Sequence, residues 1–181
     1  MKSKFRHLTF LFLGIFIKDF KYIKSEFIQG IGKYKFIKNY LIGFFSNRRS
    51  FWRLINKNSI IIKPENILIR GEMKKSQLMQ SLMVQALYIQ AVNQIEIHSS
   101  VLIGPDVKII SANHKDNNSL LYQESPKIRI GEGTWICANV IILPGAQIGK
   151  NCIVGAGSIV NKTFGDNSLI CGNPAKFIKK I

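Results

Sequence analysis

The sequence predicts an all-β solenoid of stacked strands and turns, with a basic N-terminal appendage that is helical or irregular. Two observations carry the solenoid. First, Ile97, Ile103 and Ile109, then Ile130, Ile136, Ile142, Ile148, Val154 and Val160, recur at intervals of six. Six fits neither the 3.6-residue period of a helix nor the alternation of a strand, but it fits a short strand plus a turn repeated as one face of a stack. Three such hexads form one coil. Second, the position four after each aliphatic is small or branched: Val101, Val107, Thr134, Val140, Ala146, Cys152 and Ser158. A narrow prism has room for little more beside the aliphatic line. A third observation separates the appendage. Residues 1–58 hold 13 Lys and Arg against Asp19 and Glu26, a net of +11, and 14 of the 19 aromatics, whereas the remainder has a net of +5.

The chain has 181 residues and 20.6 kDa, enough for one cored domain with an appendage. Its division is read as an appendage over 1–58, repeats over 59–175 with an inserted loop at 115–129, and a basic tail at 176–181. The three cysteines, Cys137, Cys152 and Cys171, all fall within the hexad run. With no paired Cys/His spacing they read as reduced structural thiols of a cytosolic protein, not as a metal site.

In the appendage the apolar run Leu8 to Ile17 is about half of the roughly 20 residues that span a bilayer. Lys18-Asp19 follows it where a secretory signal would have a small-residue cleavage site. Leu8, Phe12, Ile15 and Phe16, then Ile23 and Phe27, are spaced as on a helix. Two readings stand: helices packed on the solenoid with solvated lysines, or a peripheral anchor with aromatics at headgroup level and lysines over anionic lipid. Equal binding of anionic liposomes by the full chain and by a chain starting at Asn58 counts against the anchor. No nucleic-acid partner is expected, since no recognisable motif accompanies the basic aromatic composition.

Residues 59–96 thread poorly on the six-residue register through Ile61, Ile67, Met73, Met79, Gln85 and Ala91. That register turns Glu65 and Gln77 inward. Ile60 to Ile69 reads as strand-like and Met73 to Val92 as irregular early coils, as expected of terminal repeats that cap a stack. From Ile97 the coils are regular. Gly104, Gly131, Gly149 and Gly155 suit corners where a Cβ is strained or crowds the next coil. Leu143-Pro-Gly145 makes a turn. Gly155-Ala-Gly-Ser158 leaves backbone open to a ligand or another chain, and Phe164 to Asn167 interrupts the last coil with a loop. The register breaks between Ile109 and Ile130, and His114 is the last residue before the insertion. A rigid scaffold holds it while a loop can shield it.

Ile97 to His114, Ile130-Gly-Glu-Gly-Thr-Trp-Ile-Cys-Ala138, Ile142-Leu-Pro-Gly145, Val154-Gly-Ala-Gly-Ser-Ile-Val160 and Cys171-Gly-Asn-Pro-Ala-Lys176 together resemble the hexapeptide-repeat acyltransferases. The likeness is greatest to the maltose/galactoside and colanic-acid-type sugar O-acetyltransferases and spans about residues 88–180. It implies a left-handed parallel β-helix, a homotrimer, and acetyl-CoA as donor. The hand comes from the resemblance alone, since the general rule for parallel crossovers favours the other one.

Moving an acetyl group from a thioester to a sugar hydroxyl needs a base for the hydroxyl proton, and histidine titrates near neutrality. The resemblance puts that base at His114. His7 and His98 have no motif. The resemblance also implies donor contacts from Trp135, Ala138, Ala156 and Asn161, and from Lys176 and Lys179 to the CoA phosphates, where an ammonium opposite a phosphate is physically apt. Those lysines can equally be a solvated charge run, and Trp135 can pack at a subunit interface. Asn161 stands where the family usually has threonine. For the acceptor it implies Tyr88, Gln90 and Asn93, which can equally be strand-surface residues. Asp116 and Glu124 can orient His114 or meet sugar hydroxyls. Lys115 replaces a common aspartate. If it faces the cleft it favours an anionic acceptor, which rates on sialic-type against neutral sugars decide.

The expected function is acetyl-CoA-dependent O-acetylation of a saccharide in surface polysaccharide or glycolipid assembly, in the cytoplasm or on the inner face of the cell membrane. Serine O-acetylation, N-acetylation of a nucleotide-linked sugar, and a non-catalytic hexapeptide scaffold are the alternatives. A zinc-dependent scaffold is disfavoured because three interface histidines are needed and His7, His98 and His114 are badly spaced.

Overall fold

The computed structural model describes residues 55–72 and 76–181, so most of the basic appendage and Met73 lie outside the described residues. Five coils follow one another in the chain. The first comprises β1 (Ile60–Ile62), a 3-10 turn η1 (Pro64–Asn66), β2 (Ile67–Arg70) and α1 (Gln77–Val84). The second is β3 (Tyr88–Gln90), β4 (Ile95–His98) and β5 (Leu102–Ile103). The third has β6 (Lys108–Ile110), a hairpin of β7 (His114–Lys115) and β8 (Asn118–Tyr122), then β9 (Ile128–Ile130) and β10 (Trp135–Ile136). The fourth is β11 (Ile141–Ile142), β12 (Gln147–Ile148) and β13 (Ile153–Val154). The fifth is β14 (Ile159–Val160), β15 (Thr163–Phe164) and β16 (Ser168–Cys171), and β17 (Lys176–Lys180) closes the described chain.

Strands at the same place in each coil pair in parallel. The first face runs β1-β3-β6-β11-β14, the second β2-β4-β9-β12-β15, and the third β5-β10-β13-β16, with β17 added antiparallel. The hexad line forms the core: Ile97, Ile103, Ile109, Ile130, Ile136, Ile142, Ile148, Val154 and Val160 are at most 2% exposed. The small residues beside them, Val101 through Ser158, are buried too. Each coil therefore covers its apolar side only by stacking on its neighbours, as repeat architectures do.

The early coils depart from the expected register. Ile61 pairs with Ile89 and Ile69 with Ile97, so the inward line skips Gln85. The spacing there is eight because η1 on the first coil, and the residues after Gln90 on the second, widen the first corner. Glu65 lies exposed in η1, and Gln77 is exposed at the start of α1, so neither is an inward core residue. The irregular coil expected over 73–92 contains a helix instead. Ser76 caps α1 by accepting from Met79 N–H at 3.0 Å, and Leu78, Met79, Leu82 and Met83 are buried. The helix takes the place of a third-face strand beside β5: Leu78 N–H donates to Ser99 C=O at 3.1 Å, and Ile103 N–H to Ser81 Oγ at 2.9 Å. Ile55 is 1% exposed and Asn56 bonds Leu82 C=O, so packing begins before residue 59.

One further expectation changes at the other end. Phe164 belongs to β15 and stacks on Ile148 in the inward line, so the loop is confined to the residues after it. The basic tail forms a strand with its lysines exposed. Lys176–Lys180 pairs with β16, and Lys180 Nζ donates to Asp166 C=O.

The corner glycines separate into two columns. Asp106, Gly133, Asn139, Gly145, Asn151 and Gly157, which follow Ile103, Ile130, Ile136, Ile142, Ile148 and Val154 by three residues, have positive φ, which Gly, Asn and Asp tolerate best. Gly104, Gly131, Gly149 and Gly155 do not; they are glycine because of crowding between coils. A Cβ on Gly149 would lie 2.5 Å from Asp166 N and 2.7 Å from Gly165 C, both backbone atoms. Gly149→Ala is therefore expected to cost about 1–3 kcal/mol in chemical unfolding. Gly165→Ala, whose Cβ meets nothing within 4 Å, should stay within about 0.5 kcal/mol of the parent.

Candidate active site

The insertion leaves the corner between the first and second faces on the third coil, and side-chain amides pin its base. Gln90 is 7% exposed, and its Oε1 accepts from Ala112 N–H at 3.1 Å. Asn93 Nδ2 donates to Ser111 C=O at 2.9 Å and to Gln123 C=O at 3.1 Å, so it ties the outgoing strand to the returning one. Asn93 N–H donates to Ser111 Oγ, and Gln123 N–H to Asn113 C=O at 2.8 Å. Gln90 and Asn93, expected at the acceptor, thus brace the segment that carries His114. Tyr88 lies apart from them, half-buried on the outer side of the first face between Ile60 and Lys108.

His114 stands in β7, exposed, opposite Tyr122 of β8. Their ring centroids are 4.6 Å apart with planes at 32°. Asp116, expected to orient His114 or meet the acceptor, is exposed between the hairpin strands; among the described residues neither it nor Glu124 forms an ion pair or hydrogen bond with the imidazole. At the returning end Lys127 Nζ donates to Glu96 Oε2 at 2.8 Å. This bond, helped by Arg70 at 3.5 Å, holds the Glu96 carboxyl below its ordinary value. Tyr122, whose partnership with His114 was not expected, carries one signal in the sequence: it is an aromatic residue in the same insertion.

The residues expected at the donor occupy other columns. Ala138 and Ala156 are stacked at the corner between the third and first faces, where Gly157 N–H donates to Ala138 C=O at 3.0 Å. Asn161 is exposed at the first-to-second corner of the fifth coil, in the column from which the His114 hairpin departs two coils earlier. Trp135 is 45% exposed on the third face beside Leu102, and Lys176 and Lys179 are exposed on β17. Asn161 follows Ala156 by five positions, at most roughly 16–18 Å of extended chain. One chain therefore places the alanine corner and the histidine corner on opposite edges of its first face.

The outer sides of the three faces differ. Ile60, Tyr88, Lys108, Ile141 and Ile159 line the first, and Leu102, Trp135, Ile153 and Leu169 the third; Leu68, Glu96, Arg129, Gln147 and Thr163 line the second. Two faces are mostly apolar and one is polar. Burial pushes the thiols of Cys137 and Cys152 above their ordinary value, and the neighbouring Cys171 adds to the effect at Cys137. None of the three cysteines is in a disulfide. No helix among the described residues is long and apolar enough to cross a membrane.

Residues 127–162 match the family model for the bacterial transferase hexapeptide, six repeats. A galactoside O-acetyltransferase of Lactococcus lactis is 40% identical over 90 residues, which are 48% of this chain and 44% of that protein. The chain thus spans about half the length of the curated relatives it matches. Among solved structures, a galactoside acetyltransferase in complex with coenzyme A superposes with a TM-score of 0.56 at 24% identity, over 82% of this chain and 81% of that one. A hexapeptide-repeat-containing acetyltransferase of Vibrio cholerae gives 0.51 at 19%, over 87% and 93%. The two structures share the fold, the curated relative shares the repeat sequence, and residues 127–162, which run from the end of the insertion into the fifth coil, carry the match to the bacterial transferase hexapeptide.

Proposed function

We propose that the chain is an acetyl-CoA-dependent O-acetyltransferase acting on a hydroxyl of a saccharide, with His114 as general base. The observation that carries this reading is the placement of His114: exposed, on a hairpin braced by Gln90 and Asn93, at the break in an otherwise regular acetyltransferase-like stack. One ring nitrogen takes the proton from the acceptor hydroxyl as its oxygen attacks the thioester carbonyl. The tetrahedral intermediate then expels the CoA thiolate, which recovers the proton from the imidazolium. The products are the acetyl ester and free CoA.

The coils wind left-handed in this reading and three copies assemble around a threefold axis. The two apolar faces support the assembly, since each subunit of a closed ring meets its neighbours through two different surfaces. Within one chain Ala138 and Ala156 stand at one edge of the first face and the His114 hairpin at the other. Assembly lets one subunit's alanine corner complete its neighbour's histidine corner. CoA then lies along Ala138, Ala156, Asn161 and Trp135, with Lys176 and Lys179 at its phosphates. Tyr88 and Asp116 face the acceptor. The basic appendage brings the enzyme to an anionic membrane surface where lipid-linked glycans are built.

The test is direct. Calorimetry should detect acetyl-CoA binding, and free thiol should appear when an oligosaccharide panel is added. A protein that binds no acetyl-CoA is a scaffold, not this enzyme.

A further inference from the structure

A histidine base is usually oriented through its second ring nitrogen, which donates to a carboxylate or a carbonyl. His98 shows what a fixed imidazole looks like in this fold: its Nδ1 lies 2.8 Å from Ser100 Oγ and accepts from Ser100 N–H at 3.2 Å. His114 has no counterpart. Among the described residues no hydrogen bond or ion pair reaches either of its ring nitrogens. An exposed side chain with two free torsions samples several rotamers, and a base off its line of approach by about an ångström can lose on the order of 10²-fold in rate. Something other than a hydrogen bond must hold the ring.

The neighbour that can do so is Tyr122. It is the cross-strand partner of His114, its ring centroid is 4.6 Å away, and the 32° tilt lies between stacked and edge-on. Such ring pairs attract at separations of about 4.5–7 Å. Tyr122 is itself well placed: the next residue, Gln123, is held through its N–H by Asn113 and through its C=O by Asn93. A stack also leaves both imidazole nitrogens free, one for the acceptor hydroxyl, where a hydrogen-bonding partner would occupy one of them.

We infer that Tyr122 is the positioning residue for His114, its aromatic ring fixing the imidazole plane in which the base meets the acceptor hydroxyl. The kinetic part of this assignment rests on the proposed acetyl transfer; the stacking does not. Tyr122 is 38% exposed in a surface hairpin, so its replacement leaves the coils folded.

The experiment compares Tyr122→Leu and Tyr122→Phe in the full chain. Tyr122→Leu should lower kcat about 10- to 100-fold, with the acceptor KM within about twofold. Tyr122→Phe, which keeps the ring, should restore most of kcat. In a His114→Ala background Tyr122→Leu should change nothing further. By NMR, the ring protons of His114 should move downfield in Tyr122→Leu, as the ring current of the stacked tyrosine is lost, and stay near their original shifts in Tyr122→Phe. The assignment is overturned by any of three results: His114 shifts unchanged in Tyr122→Leu, Tyr122→Phe as damaging as Tyr122→Leu, or KM rising while kcat holds. If the parent protein transfers no acetyl group, the proposed function fails on that result, and the NMR comparison still decides whether the ring is stacked.

Discussion

His114→Ala is expected to lower acetyl transfer by about 10²- to 10⁴-fold, the usual contribution of a positioned general base, while the urea-unfolding midpoint stays where it was. The two halves have different causes. A sugar hydroxyl is too weak an acid to ionise at neutral pH, so removal of its proton as the oxygen attacks needs an acceptor, and alanine offers none. The imidazole meanwhile contributes nothing to the core: His114 is exposed, lies outside the buried aliphatic line, and among the described residues has its one ring contact with Tyr122. Surface substitutions of this kind usually stay within about 0.5 kcal/mol. The hairpin base is held by backbone groups and by Asn93 and Gln90, none of which the substitution touches. Thiol release from acetyl-CoA with a responsive acceptor measures the first half, and unfolding at fixed protein concentration measures the second. Residual turnover close to the parent's would remove His114 from the mechanism, whatever else the fold resembles.

How far the sequence discloses this arrangement depends on repetition. Between Ile97 and Val160 the same physical demand returns at every coil, an aliphatic facing a narrow interior and a small residue four positions later, and every one of those side chains is buried. Before Ile97 the demand is met differently. Corners lengthen, so the aliphatic interval becomes eight, and α1 covers the third face where a strand would sit. The helix had its own signal, Ser76 as a cap followed by Leu78, Met79, Leu82 and Met83 at helical spacing, which a six-residue template overrides. The glycine columns were legible as corners but not as two kinds of corner, since crowding between coils depends on stacking and positive φ does not. The same limit governs the site. His114 stands out because it abuts a break in the repeat. Tyr122 does not, because the pairing of β7 with β8 depends on a bulged register inside the insertion, where no repeat constrains the alignment.

Ile136→Ala is expected to have the largest effect on stability, about 2–5 kcal/mol and in the upper half of that range. Ile136 is 0% exposed and lies in the third-face line between Ile103 and Val154. What sets the cost of such a truncation is how far the surroundings can close on the cavity. Here they are held on both sides: Gly104 N–H donates to Ile136 C=O at 2.8 Å, and Cys137 N–H donates to Val154 C=O at 3.0 Å. Trp135 N–H donates to Cys152 C=O at 2.8 Å, and Leu102 N–H to Thr134 C=O at 3.0 Å. Closing the void would mean pulling one coil out of register with these ladders, so the cavity persists and its lining loses its contacts outright. Ile136→Val, which removes one methylene, should cost only about 0.5–1.5 kcal/mol. Urea unfolding of the two variants beside the parent, at one protein concentration so that any assembly contributes equally, measures the difference. A loss below about 1 kcal/mol for the alanine variant, far under the range for buried isoleucine, would mean that the coils slide on one another and that the rigidity invoked for holding His114 at its corner does not come from the stack.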